Sequence, residues 1–197
     1  MTLGADFYAR SVHDVAHDLV GCLVAHGGTV GRIVEVESYH ETEPACHAFV
    51  GLTPRTRPLF GAPGTAYVYR SYGIHACLNA VCEGEGVGAA VLIRALEPVE
   101  GLEEMRSRRG ITRDDELCSG PGKLTQALDI GLELNDTSLV DGPIRVLAAP
   151  ATAARPRVVR GERIGITKAA ELQWRFCDAN SVHVSRPRPA AMRRRAA

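Results

Sequence analysis

Residues 22–39 read CLVAHGGTVGRIVEVESY, and they set the architecture. Two runs of β-forming residues, CLVAH and VGRIVEVESY, flank Gly27-Gly28. A Gly-Gly pair accepts the positive φ values of a tight hairpin, so the runs are predicted to pair antiparallel. Side chains alternate along a strand, which puts Ile33, Glu35, Glu37 and Tyr39 on one side and Val34 and Val36 on the other. Ile33 is the apolar exception on the acidic side.

Upstream, Ser11 with Asp14 three residues later marks a helix N-terminus. Val12, Val15, Ala16 and Leu19 follow at helical spacing, and Gly21 can end the helix. Downstream, residues 40–64 carry several Pro and Gly and no clean period, which predicts a long loop with one helical turn. TAYVYRSYG (65–73) reads as a strand and a tight turn. HACLNAVCE and GAAVLIRALEP read as two more strands. GLEEMRSRRG and KLTQALDI read as helices, and IRVLAAP and RIGI as further strands. Strands alternating with helices and joined by short turns give a mixed α/β (α+β) single domain, residues 1–185, with mostly antiparallel pairing. Residues 186–197 are rich in Pro and Arg and read as a disordered tail.

At 197 residues, 45% of them hydrophobic, the chain can bury one core of ordinary size. It has no run of eighteen apolar residues and no secretory signal at its start, so the expectation is no membrane and a cytoplasmic location. None of the six cysteines forms a C-x-x-C pair, and most sit beside apolar residues; they read as buried free thiols, with no zinc site. The deaminase signature H-x-E with P-C-x-x-C is missing. Lys+Arg and Asp+Glu both number 23, which argues against gripping nucleic acid by bulk charge alone. After Arg155, however, ten further Arg and Lys residues face only Glu162, Glu171 and Asp178, which gives one end of the chain a cationic bias.

Four groups of residues carry chemistry. Tyr67, Tyr69 and Tyr72 lie within six residues in a chain poor in aromatics. Tyr67 and Tyr69 share a strand face, and Tyr72 precedes Gly73 at a turn where a side chain projects. They are either ordinary strand and turn tyrosines or a stacking platform with a wedge. Glu35 and Glu37 lie beside Val34 and Val36 in a strongly apolar strand, where burial raises a carboxylate's pKa. They are either solvent-facing strand acids or the source of a general base, with Tyr39 and His47 bracketing a substrate. Arg94, within VLIRALEP, needs a carboxylate, phosphate or water partner; Glu35 or Glu37 would serve, either in a functional site or in an ion pair with no function. In CSGPGKLTQAL, glycine and proline open a helix beside Lys123. That is either a cap or a phosphate cradle, but not a Walker loop.

Taken in order, GRIVEVESY, ACHAF, TPRTR, GTAYVYRSYGIHACLN, VLIRALEPVEG, LCSGPGKLTQAL, RIGI and WRF resemble the alkyladenine (3-methyladenine, methylpurine) DNA glycosylase family over about Phe7 to Ser185. The resemblance implies a single domain around a curved antiparallel sheet with peripheral helices. It implies a monofunctional, monomeric enzyme that needs no metal or cofactor. Such an enzyme flips an alkylated or deaminated purine from duplex DNA and hydrolyses its bond to the sugar. By position in the motifs, Glu37 activates the water and Arg94 helps hold it. Tyr39 and Tyr69 sandwich the base, His47 contacts it, and Asn79 helps exclude guanine. Tyr72 enters the duplex, and the Val184 carbonyl touches the water. Two rivals compete with this reading. A binding module has no need of Glu37 and Arg94 in apolar strands, and an enzyme acting on a small nucleotide has no use for a projecting Tyr72.

Overall fold

The computed structural model describes residues 1–193, with Arg193 lacking a described side chain. Two helices, α1 (Ala5–Tyr8) and α2 (Val12–Leu19), lead into the hairpin β1 (Leu23–His26) and β2 (Thr29–His40). β3 (Ala66–Ser71), β4 (His75–Val81) and β5 (Ala89–Glu100) follow, then α3 (Leu102–Arg109), α4 (Asp114–Leu117) and α5 (Pro121–Ala127). β6 (Arg145–Leu147), β7 (Val158–Gly161), β8 (Arg175–Asp178) and α6 (Ala190–Arg193) complete the order. The result is one α+β domain around a curled antiparallel sheet ordered β3-β4-β5-β2-β1-β6.

The Gly27-Gly28 turn closes the first hairpin with φ of 54° and 79°, and His26 pairs with Thr29. β2 is long enough to serve two partners on one edge. Its first half pairs with β1, and Glu35 to Glu37 pair with β8, while β5 runs along the other edge. β7 and β8, like α4, were not anticipated from the sequence. RIGI forms no strand, and in IRVLAAP only Arg145–Leu147 does. The loop of residues 40–64 holds two 3₁₀ turns, His47–Val50 and Arg57–Phe60, rather than one.

The side assignment along β2 needs one correction. The β2–β5 ladder is irregular between Ile33 and Val36. That irregularity carries Ile33 to the main core, where it packs with Val36, while Val34 joins a separate cluster with Ala95, Cys177 and Val184. The apolar exception on the acidic side therefore disappears. A bulge shifts the alternation by one residue, which strict period-2 counting cannot anticipate.

α2 lays Val12, Val15, Ala16 and Leu19 onto the sheet. Ser11 is its N-cap by position, but its side chain makes no cap bond; Glu83 instead accepts from the Val12 N–H at 3.0 Å. Ile33, Leu78, Ile93, Leu96, Leu124 and Phe176 are fully buried in the same core, each contributing about 1.5–3 kcal/mol. All six cysteines are buried and free. Part of the expected tail lies against this body. Arg175 Nη1 donates to the Pro187 carbonyl at 2.9 Å, and Met192 packs on the cluster around Val34. Residues 194–197, with Arg194 and Arg195, lie outside the described residues. Among the described residues, no helix is long and apolar enough to cross a membrane.

Candidate active site

The central strands β2 and β5 bring two acids and one base into the interior. Arg94 bridges both carboxylates, with Nε 3.2 Å from Glu35 Oε1 and Nη1 3.4 Å from Glu37 Oε2. Glu35 is tied up elsewhere as well. Its Oε1 accepts from Arg175 Nε at 2.6 Å and from Ser185 Oγ at 2.9 Å, and its Oε2 accepts from the Ser185 N–H at 2.7 Å. Glu37 takes lighter partners. The Ile164 N–H donates to Oε1 and the Tyr39 hydroxyl to Oε2, each at 2.8 Å. Two carboxylates thus face two guanidinium groups, which makes complete burial tolerable. Burial pushes the Glu37 pKa up; Arg94, the Ile164 N–H and the Tyr39 hydroxyl oppose the rise, and Glu35 adds to it.

Beside Glu37, and joined to it through Tyr39, lies a cavity of about 290 Å³. Tyr39, His47, Tyr69, Tyr72 and Asn79, from four separate stretches of chain, all line it. Tyr67 and Tyr69 point the same way from β3, with ring centroids 5.4 Å apart and planes 27° apart. His47 stands edge-on to Tyr69 at 4.6 Å, with Nδ1 3.1 Å from the Tyr67 hydroxyl. Burial, and then the charge of Arg55, lower its pKa, which favours the neutral ring. Asn79 Nδ2 donates to the Tyr67 carbonyl at 3.0 Å, which fixes its amide against the cavity wall.

Tyr72 occupies the turn between β3 and β4, where Ser71 pairs with His75. Its backbone is left-handed at φ 49°, uncommon for a bulky side chain, and the residue is 84% exposed. α5 supports this turn from below. Gly122 lies so close to His75 that a Cβ there would meet the imidazole at 2.7 Å, so the glycine of SGPGKL permits the contact. Lys123 reaches Ser119 Oγ at 3.3 Å. Val184 lies apart from the aromatic cavity. It is buried and lines a second, more polar cleft of about 490 Å³ with Arg94, Lys123, Arg186 and Arg188.

Residues 163–166 are the main site element that the sequence reading missed. They run as a loop, with the Ile164 N–H bonded to a side chain of the site rather than to the backbone of a neighbouring strand. Ile164 donates to Glu37, Arg163 forks onto Glu43, and Gly165 and Ile166 line the aromatic cavity. Arg175 and Ser185, the anchors of Glu35, were also missed. One signal was available: two buried acids beside a single arginine demand a second cation.

The sequence profile of the methylpurine-DNA glycosylase family matches residues 6–182. A protein of Rhodopseudomonas palustris (strain ATCC BAA-98 / CGA009) is 54% identical over 93% of this chain and 87% of its own length. One of Methanoculleus marisnigri is 53% identical over 94% of this chain and all of its own length, and one of Rhizobium meliloti is 48% identical over 94% and 97%. All three bear the name "Putative 3-methyladenine DNA glycosylase".

Proposed function

This chain belongs to the methylpurine-DNA glycosylase family and is a hydrolase of N-glycosyl bonds in DNA, and on that premise we propose that it flips alkylated and deaminated purines out of the duplex and leaves an abasic site. One observation carries the reading: a buried acid–arginine pair is joined through a tyrosine hydroxyl to a cavity with aromatic walls, beside an exposed tyrosine. A flipped base is held by stacking and read by hydrogen bonds along its edge. Tyr39 and Tyr69 act as the stacking walls, His47 contacts the base, and Asn79 excludes the exocyclic amine of guanine. Tyr72 fills the gap left in the helix.

Glu37 acts as general base. It takes a proton from water as the water oxygen bonds to sugar C1′. The C1′–N bond breaks, and its electron pair departs with the base. An alkylpurine cation leaves as a neutral base, whereas hypoxanthine needs protonation as it departs. Arg94 holds the water against Glu37, with the Val184 carbonyl as a further contact. The only two lysines, Lys123 and Lys168, do not line the aromatic cavity, so no side-chain amine is offered there for a Schiff base with the sugar. We therefore propose hydrolysis without strand cleavage, by a monomer acting in the cytoplasm on the DNA held there.

The test is incubation with duplex DNA carrying one 7-methylguanine or one hypoxanthine. Free base should appear while the strand stays intact until alkali is added. Nicking without alkali would overturn the monofunctional reading, and no base release from either duplex would overturn the substrate reading.

A further inference from the structure

The strongest unexplained feature lies behind the Tyr39 wall. The Arg163 side chain is fully enclosed. Its guanidinium forks onto Glu43, with Nη1 to Oε1 at 2.6 Å and Nη2 to Oε2 at 3.0 Å. The same nitrogens donate to the carbonyls of Ser38 at 3.1 Å and Ala169 at 3.2 Å. Ser38 is the residue between Glu37 and Tyr39. The guanidinium carbon stands 4.5 Å from the Tyr39 ring centroid and 5.1 Å from that of Trp174, the chain's single tryptophan. Tyr39 lines the aromatic cavity and Arg163 does not, so the cation lies over a ring of the cavity wall without itself entering the cavity.

An arginine used only to brace a loop has no need to lie over a ring that forms a cavity wall. The faces of an aromatic ring carry its negative quadrupole, and a cation on one face draws that density toward itself. A second cation brought to the opposite face meets a depleted ring and a like charge beyond it. A neutral base stacks mainly by dispersion and loses little. We propose that Arg163, held by Glu43, is a specificity-determining positioning residue: it fixes the Tyr39 wall and weakens that wall's attraction for a positively charged purine, tilting selection toward neutral lesions. The proposal rests on Tyr39 being a stacking wall, as inferred above. It also has a chemical logic. Cationic alkylpurines carry a labile glycosidic bond and need little help, whereas neutral lesions depend more on being held.

The experiment compares kcat/KM for duplexes carrying 7-methylguanine, a cationic base, and hypoxanthine, a neutral one. The double variant Arg163→Gln/Glu43→Gln removes both charges together and leaves no lone buried ion. It should raise the 7-methylguanine to hypoxanthine ratio about three- to tenfold, the scale of a cation–π contact between the exposed and the desolvated limits. Glu43→Gln alone leaves the cation uncompensated and should lower the ratio about twofold or more. Arg163→Lys keeps the charge but loses the fork; it should slow both lesions while holding the ratio within about twofold of wild type. Ratio shifts of opposite sign in the first two variants are what a bracing role does not produce. A ratio unmoved in both the double variant and Glu43→Gln, with both lesions slowed alike, overturns the proposal and leaves Arg163 as a brace. Should the double variant not fold, an unmoved ratio in Glu43→Gln overturns it alone. Tyr39→Leu separates the two levels: wild-type excision of both lesions in that variant overturns the reading of Tyr39 as a wall, and the proposal with it.

Discussion

Glu35 and Glu37 stand two residues apart on one strand, both fully buried and both touching Arg94. Their surroundings differ in kind. Glu35 is anchored by Arg175 and by both the hydroxyl and the N–H of Ser185, which staples the C-terminal segment to the sheet. Glu37 is held by one backbone N–H and by a tyrosine that lines a cavity. The same residue type, two positions apart with Val36 between, thus serves as a structural staple in one place and reaches a cavity through a tyrosine in the other. What separates them is the tertiary partner: a guanidinium and a serine in one case, a phenol opening on empty space in the other.

The largest expected effect tests that division directly. Glu37→Gln should keep the fold and DNA binding and lower excision by about 10²–10⁴-fold, the range of general acid–base catalysis. Glu35→Gln should act through stability, because Arg175 loses its charged partner inside the core at a cost of about 3–5 kcal/mol. Excision rates of the folded fraction, set beside chemical denaturation curves, measure both. An active Glu37→Gln enzyme with an inactive but stable Glu35→Gln enzyme would reverse the assignment.

Arg94, which both acids share, sharpens the comparison. Arg94→Ala should lose about 3–5 kcal/mol of stability and also turn over more slowly, since it removes one partner of a buried cluster. The pH profile adds a signed test. Burial holds the Glu37 pKa above the ordinary glutamate range while Arg94 pulls it down. Excision of a cationic lesion should therefore fall as pH drops through a value above that range, and Arg94→Ala should move this limb to higher pH. The stability linkage runs the opposite way. With the folded pKa raised, the contribution of Glu37 to stability is fully present below its unfolded value and is lost as pH rises through the folded one. A limb that stays put in Arg94→Ala, with only weaker DNA binding and a smaller salt slope, would make Arg94 a phosphate contact instead.

How much of this was legible in the sequence follows the range of the contacts. The first hairpin was, because Gly27-Gly28 announces its own turn. So was the shared face of Tyr67 and Tyr69, because neighbours on one strand obey alternation. The cost of a buried charge made Glu35 or Glu37 a fitting partner for Arg94, beside phosphate or water, and the structure uses both acids. Residue pairs such as Glu37 with Ile164, or Glu35 with Ser185, are more than a hundred positions apart and leave no local period. The four-residue strands β7 and β8 are too short to show alternation. RIGI looked like a strand because its apolar residues alternate, but the Ile164 N–H is taken by the Glu37 carboxylate instead of a strand partner. The choice between Glu35 and Glu37 came only from the family resemblance, since both lie on one apolar strand around Val36.

The smallest expected effect on the fold belongs to Tyr72, and it extends the comparison from the two acids to two tyrosines. Tyr67 is buried within β3, whereas Tyr72 is 84% exposed five residues later. Tyr67→Ala should therefore cost stability through lost packing, about 3–5 kcal/mol if it behaves like other large-to-small core changes. Tyr72→Ala should cost almost none, and relief of its left-handed backbone is not expected, because alanine is also disfavoured there. Its effect should appear only with duplex DNA. Extruding a base costs a few kcal/mol, and a side chain left in the gap offsets part of that. If the offset is near 1.4 kcal/mol, excision from duplex should fall about tenfold. A 2-aminopurine beside the lesion should brighten less on mixing, because the flipped state is less populated. A lesion opposite a gap or mismatch, where extrusion costs less, should lose less. Equal losses on paired and mismatched substrates would remove Tyr72 from the flipping step, and unfolding of Tyr72→Ala would show that the exposed tyrosine carries structure after all.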